Sequence, residues 1–311
     1  VIATKLRPPI FLIGNYRSGT TITQKLIGLH PDVVTWYEPR TLWLYADPGR
    51  CHDVFTERDA TEKVIRYIRG RFLEFQVRNG GRQIMENTPS NVLRSSYVHQ
   101  IFPEATFLFI TRNPFSYISS MELKWQRTKT LKGMKRTLAT TPITQLHHYA
   151  GALIRQIFVK KILRKKYAPI YGPKYEGIDQ DLREHDKLTV IARQWARGNR
   201  RAREDLAQLG EGRVLTCRYE DLMQDTETTL RRIYDHCGLV CSDDILRVAK
   251  EMVDPTRQEK WLRFDPEQLQ AILPEVEEEM RVYGYEVPLP LRSEKAGKGA
   301  VLGPSPEECK A

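Results

Sequence analysis

The chain has 311 residues, 41% hydrophobic and 28% charged, a globular composition long enough to bury one large core or two small ones. Its net charge of +10 is local: twelve Lys or Arg and no Asp or Glu lie between Lys124 and Lys166, so an anionic partner is implied for that segment alone. No apolar run approaches the roughly 20 residues that span a bilayer, and five cysteines without CxxC pairs argue against a disulfide framework or zinc ribbon.

The first element is Ile10-Phe11-Leu12-Ile13, an apolar run into Gly14-Asn15-Tyr16-Arg17-Ser18-Gly19-Thr20-Thr21 and an amphipathic stretch. This reads as strand, tight loop and helix, whose successive free N–H groups form an anion site suited to phosphate. The spacing is that of a Walker A loop, but Thr20 stands where the lysine belongs, and Arg17 is the loop's cation. The patterning predicts a helix to Leu29 and a second strand over Val33-Val34-Thr35-Trp36. A right-handed crossover between parallel strands brings both strand ends to one sheet edge, so Glu38 emerges beside the Arg17 loop.

Further along, a helical stripe covers Thr61 to Val77, Gln83 to Glu86 is a short strand, and a helix runs to Phe102. Thr106 to Thr111 is an unbroken apolar run, as expected of a parallel strand covered on both faces. Arg112 follows it where a Walker B motif would place Asp, and the next helix carries Ser116, Ser119 and Ser120. Residues 124–187 interrupt the rhythm as a basic helical insertion, within which His147-His148 is read as a surface or structural pair. A long helix over Leu188–Leu209 and a strand over Arg213–Cys217 lead into Arg218-Tyr219-Glu220-Asp221-Leu222. Helices are predicted over 226–237 and 243–253. Another begins at Asp265-Pro266, an N-cap followed by proline, and a fresh helix begins at Pro274. From Pro288 the apolar pattern ends in a tail read as disordered.

The Arg-Ser-Gly-Thr-Thr loop entered from a strand resembles the 5′-phosphosulfate loop of sulfotransferases that use 3′-phosphoadenosine 5′-phosphosulfate (PAPS). The branch with tyrosylprotein, heparan-type and bacterial enzymes is the nearest likeness. The resemblance implies that Arg17, Ser18, Gly19, Thr20 and Thr21 hold the phosphosulfate, with Arg17 neutralising sulfonyl charge during transfer. It implies that Arg112 and Ser120, eight residues apart, hold the 3′-phosphate, for which an Arg fork and a hydroxyl suit a dianion. It also implies that Glu38, 21 residues after Arg17, is the general base. The alternative for Glu38 is an exposed loop carboxylate paired with Arg40. His30 and Glu86 are the neighbours that would stand in as base. Tyr219 matches a residue near the adenine, or is core. Arg257 and Lys260 match a loop that folds over the nucleotide. In Glu86-Asn87-Thr88-Pro89, Asn87 departs from a position where many relatives carry Lys.

The resulting expectation is a single α/β domain over 1–287. It has a mostly parallel sheet with helices on both faces, like a P-loop NTPase three-layer fold, plus the insertion. The expected activity is sulfonyl transfer from PAPS to an acceptor hydroxyl of a glycan, phenol, peptide or lipid, releasing adenosine 3′,5′-bisphosphate (PAP), with no metal. The rivals are a P-loop kinase or NTPase and a non-catalytic nucleotide binder acting at an anionic surface. The basic block fits an anionic glycan or a membrane surface better than a specific nucleic acid, because it has few aromatics for base stacking. Reduced thiols and the missing sequons point to the cytoplasm, with peripheral membrane contact; a leader preceding Val1 would admit the Golgi lumen.

Overall fold

The computed structural model describes residues 5–125, 171–254 and 264–287. Most of the basic block with His147 and His148, the loop carrying Arg257 and Lys260, and the tail from Pro288 lie outside the described residues.

Five parallel strands form the sheet among those residues: β1 (Ile10–Ile13), β2 (Val33–Tyr37), β3 (Gln83–Asn87), β4 (Thr106–Thr111) and β5 (Val214–Arg218), in the order β2-β3-β1-β4-β5. The four residues of β1 are wholly buried because its position is central and both faces are covered. Phe11 and Ile13 enter one core, while Ile10 and Leu12 enter the other. The β1–β2 crossover thus skips a strand: β3 lies between them, with Ile10 opposite Met85 and Thr35 opposite Met85 on the other side.

Helices α1 (Thr20–Ile27), α2 (Arg40–Trp43), α3 (Glu62–Arg78), α4 (Ser95–Ile101) and α5 (Pro114–Trp125) follow in the first half. After residue 170 come α6 (Ile178–Glu184), α7 (Lys187–Leu206), α8 (Tyr219–Gln224), α9 (Thr226–His236), α10 (Asp243–Met252) and α11 (Pro266–Val282). Residues of α3, α4, α5, α7 and α11 pack into the core of Phe11, and residues of α1, α8, α9 and α10 into that of Leu12. No helix among the described residues is long and apolar enough to cross a membrane.

Two features set the frame of the site. The Trp125 indole N–H donates to the Tyr171 carbonyl at 2.9 Å, so the chain leaves α5 and returns at one point. The fresh helix expected at Pro274 is corrected: α11 runs through it unbroken. Leu273 and Val276 are buried there, Glu275 pairs with Arg193 at 2.9 Å, and Glu279 pairs with Arg203 at 2.7 Å. These contacts to α7 outweigh the hydrogen bond that proline lacks.

Candidate active site

The loop between β1 and α1 is shaped by close approaches that its small residues allow. A Cβ on Gly14 would lie 2.7 Å from the Ile110 carbonyl oxygen, so only hydrogen lets the end of β1 pass β4. Asn15 is fully buried, and its Nδ2 donates to Trp195 O at 3.2 Å and to Asn199 Oδ1 at 3.0 Å, which ties the loop to α7. The Ser18 N–H returns to Asn15 O at 3.2 Å and closes the turn. Gly19 caps α1 at φ 90° with no side-chain cap, leaving the first-turn N–H groups of the helix to a ligand. Thr20 and Ser18 are buried, Thr21 is exposed, and Ser18 Oγ has no protein partner.

Arg112 leaves β4 directly beside this loop. Its backbone oxygen takes the Trp195 indole N–H at 2.9 Å, and its Nη1 donates to Arg17 O at 2.8 Å. The guanidinium lies 4.5 Å from the ring centre of Tyr219, whose edge presses on Gly19: a Cβ there would fall 2.2 Å from Tyr219 Cδ2. Burial pulls the Arg112 pKa down, and its buried Nε has no protein partner. Such a desolvated cation with an unmet donor suits an anion. Arg17 Nε donates to Ser120 Oγ at 2.9 Å, so the loop, the end of β4 and α5 meet at Arg17. Glu220 anchors the same corner, accepting from Asn113 N at 3.0 Å and from Tyr285 OH at 3.1 Å.

On the other side of the loop, the Glu38 N–H donates to Asn87 O at 3.1 Å, which places Glu38 at the carboxyl edge of the sheet. Glu38 is 5% exposed, so it is not the exposed loop carboxylate of the alternative reading. The pairing with Arg40 is present: Nε and Nη2 donate to one oxygen, Oε2, at 2.9 and 2.5 Å. Arg40 in turn lies 5.2 Å over the Tyr16 ring, and Tyr16 packs edge-on against Tyr171 at 5.2 Å. Burial raises the Tyr171 pKa, and the charges of Glu38, Arg40 and Arg17 all bear on it. Tyr171 therefore links the two halves of the site. Among the described residues, the non-glycine residues with left-handed backbone are Arg17 (φ 65°) and Glu38 (φ 48°). That conformation costs about 1–3 kcal/mol in a non-glycine residue and is held only where its surroundings enforce it.

The stand-in bases are corrected. His30 lies past the far end of α1, with its ring against Tyr234 at 5.9 Å and its Nδ1 accepting from Asp32 N at 3.1 Å. Glu86 faces the core, where Trp43 donates to it at 3.1 Å, Asn91 donates at 3.0 Å, and Thr88 donates a further bond. Its carboxyl is pushed up to about 7 by burial, but it is wholly inaccessible. Tyr219 is core-packed and also forms the platform under Arg112. Arg40 is the Glu38 partner already named from the sequence, whereas the anchoring roles of Asn15 and Gln24 are not singled out there. Only the Asn in the loop carried a signal, since a polar residue inside a buried turn needs partners. Gln24 accepts from Asn87 Nδ2 at 3.3 Å beneath the loop.

Comparison with known proteins gives this geometry a family. A family model described as the sulfotransferase family matches residues 8–168 and 159–243. The nodulation protein NoeE of Sinorhizobium fredii is 26% identical over 133 residues, covering 37% of this chain and 31% of that protein. The protein-tyrosine sulfotransferase of Drosophila melanogaster is 29% identical over 126 residues, covering 37% of this chain and 25% of that protein. The chain therefore matches about a third or less of the length of these relatives. The sulfotransferase domain from the curacin biosynthetic pathway superposes with a TM-score of 0.53 at 14% identity, covering 91% of this chain and all (100%) of that one. The sulfotransferase domain of the Synechococcus PCC 7002 olefin synthase does so with 0.53 at 16% identity, covering 91% and 97%. At these identities the two structures speak for the fold, and the matched family model speaks for membership. The chain belongs to the sulfotransferase family.

Proposed function

We propose that the chain transfers a sulfonyl group from PAPS to an acceptor hydroxyl and releases PAP. The observation that carries this reading is the strained backbone at Arg17 and Glu38, the two residues that sulfonyl transfer to a hydroxyl would use as cation and base. PAPS supplies the sulfur electrophile. The acceptor oxygen bonds to sulfur as the bond from sulfur to the 5′-phosphate oxygen breaks, and Glu38 takes the acceptor's proton. Arg17 and the N–H groups opening α1 face the charge that gathers on the leaving phosphate.

The polar atoms without protein partners fit this assignment. Ser18 Oγ lies in the loop and Arg112 Nε lies beside it, where Ser120 and Tyr219 complete a site for the 3′-phosphate. Thr20 and Thr21 open the helix beneath the phosphosulfate, and Arg257 and Lys260 are assigned to the same nucleotide from sequence. The basic block over 124–166 is assigned a salt-sensitive contact with an anionic glycan or membrane surface.

Calorimetry with PAP and ADP in EDTA tests the reading. PAP should bind at least about tenfold tighter, since a charged hydrogen bond to the 3′-phosphate contributes on the order of 1.5–3 kcal/mol. Equal affinity for the two nucleotides would remove it.

A further inference from the structure

Tyr285 reaches the candidate active site from beyond the end of α11. Gly284, at φ 67°, turns the chain back towards the sheet. The Gly284 N–H donates to Arg281 O at 3.2 Å and the Tyr285 N–H to Met280 O at 2.9 Å, the two bonds of a Schellman cap. The cap delivers the Tyr285 ring to Trp195, with 6.4 Å between ring centres, and under the Arg218 guanidinium, 4.9 Å from its centre. Tyr285 is buried there.

Its hydroxyl joins the two residues that flank Arg112. Thr111 Oγ1 lies 3.0 Å from it, and Glu220 Oε2 accepts its proton at 3.1 Å. A phenol has one proton to give, so Thr111 donates to the phenol oxygen. Burial raises the Tyr285 pKa and the Glu220 charge adds to it, so the phenol stays a donor. The other Glu220 oxygen, Oε1, accepts the Asn113 N–H at 3.0 Å. Thr111, Tyr285, Glu220 and Asn113 thus close a ring of hydrogen bonds around the backbone of Arg112, whose own carbonyl is held by Trp195 at 2.9 Å. A satisfied network of this kind rigidifies what it encloses. It also occupies Glu220, whose charge bears on the Arg112 guanidinium. Released from the phenol, that carboxylate would compete for Arg112 with a bound anion.

We propose that Tyr285 is a positioning residue for 3′-phosphate recognition. Its hydroxyl fixes the turn from Thr111 to Asn113 and keeps the Glu220 carboxylate from taking over the Arg112 guanidinium. The inference rests on the assignment of Arg112 to the 3′-phosphate in the sulfonyl-transfer reading above. Selectivity between nucleotides then depends on a residue that acts through Arg112.

The test is calorimetry with PAP and with ADP, which lacks the 3′-phosphate, on the wild-type chain and on Tyr285→Phe. The variant keeps the ring and its packing on Trp195 and loses only the hydroxyl. PAP affinity should fall by about tenfold, the equivalent of roughly one hydrogen bond, while ADP affinity stays within about twofold. Adding Glu220→Gln to Tyr285→Phe should bring PAP back to within about threefold of wild type, because the competing charge is gone. A purely structural role would lower both nucleotides together, and that result overturns the inference. An unchanged ratio of PAP to ADP affinity, or no recovery in the double variant, overturns it too. If Tyr285→Phe does not fold, Thr111→Val, which takes away the phenol's donor, should show the same selective loss, and an unchanged ratio there overturns the inference. Equal affinities for PAP and ADP in the wild-type chain would remove the underlying reading, whereas a wild-type preference for PAP that survives in the variants removes the role of Tyr285 alone.

Discussion

Gly19→Ala probes the joint between the phosphosulfate loop and the rest of the site. Gly19 has φ 90°, a conformation that costs an alanine about 1–2 kcal/mol. Its new Cβ would lie 2.2 Å from Tyr219 Cδ2 and 2.8 Å from Cε2, so the ring must move, and overpacking of this kind costs about 1–3 kcal/mol. The expected loss is thus about 2–5 kcal/mol in urea unfolding. The ring cannot move without disturbing Arg112, whose guanidinium lies 4.5 Å from its centre. PAP affinity measured by calorimetry should therefore fall as well. Tyr219→Ala removes the clash but not the backbone strain. In a double-mutant cycle, Gly19→Ala should cost less by about 1–3 kcal/mol when Tyr219 is already alanine. Additivity within about 0.5 kcal/mol, or a Gly19→Ala protein with wild-type stability and PAP affinity, would refute the contact.

Two further outcomes follow from buried groups and helix chemistry. Burial raises the Glu86 carboxyl from 4.5 to about 7, so the native state holds its proton where the unfolded chain has lost it, and stability falls as pH rises from 4.5 to 7. Urea unfolding at pH 5 and pH 8 should show Glu86→Gln gaining on wild type by on the order of 2–3 kcal/mol at the higher pH, and a pH-independent difference would contradict the buried acid. Pro274 sits inside α11, so Pro274→Ala should raise the unfolding free energy by about 1–3 kcal/mol; unchanged or lower stability would show that the ring's own packing matters more.

The stretches most legible in the sequence were those where local chemistry leaves little choice. The run Thr106–Thr111 is β4 with the expected bounds, and Asp265-Pro266 opens α11 with a capping box to Gln268. The loop from Ile13 to Thr21 was readable because glycines and an apolar strand coincide there. What escaped depends on partners distant in the chain. The insertion of β3 between β1 and β2 follows from how crossovers pack, which no strand announces by itself. The left-handed backbone of Arg17 and Glu38 has no glycine to signal it and is imposed by neighbours such as Asn87 and Arg112. Pro274 reads as a helix break until Arg193, Arg200 and Arg203 of α7 are seen to hold the acids around it. Glu86 resembles a second candidate base, since neither its burial nor its hydrogen bonds to Trp43 and Asn91 show in its immediate sequence.

The central claim is that Glu38 accepts the acceptor's proton, and Glu38→Gln tests it most directly. Glutamine keeps the shape and an oxygen for Arg40, which bonds Oε2 at 2.9 and 2.5 Å, but it cannot take a proton. The measurement is single-turnover sulfonyl transfer with saturating PAPS, paired with PAP affinity by calorimetry. A positioned base contributes on the order of 10²–10⁴ in rate, so turnover should fall by about that factor while PAP affinity stays near wild type. Near-normal turnover in Glu38→Gln would contradict the account, because His30 lies at the far end of α1 and Glu86 is sealed in the core.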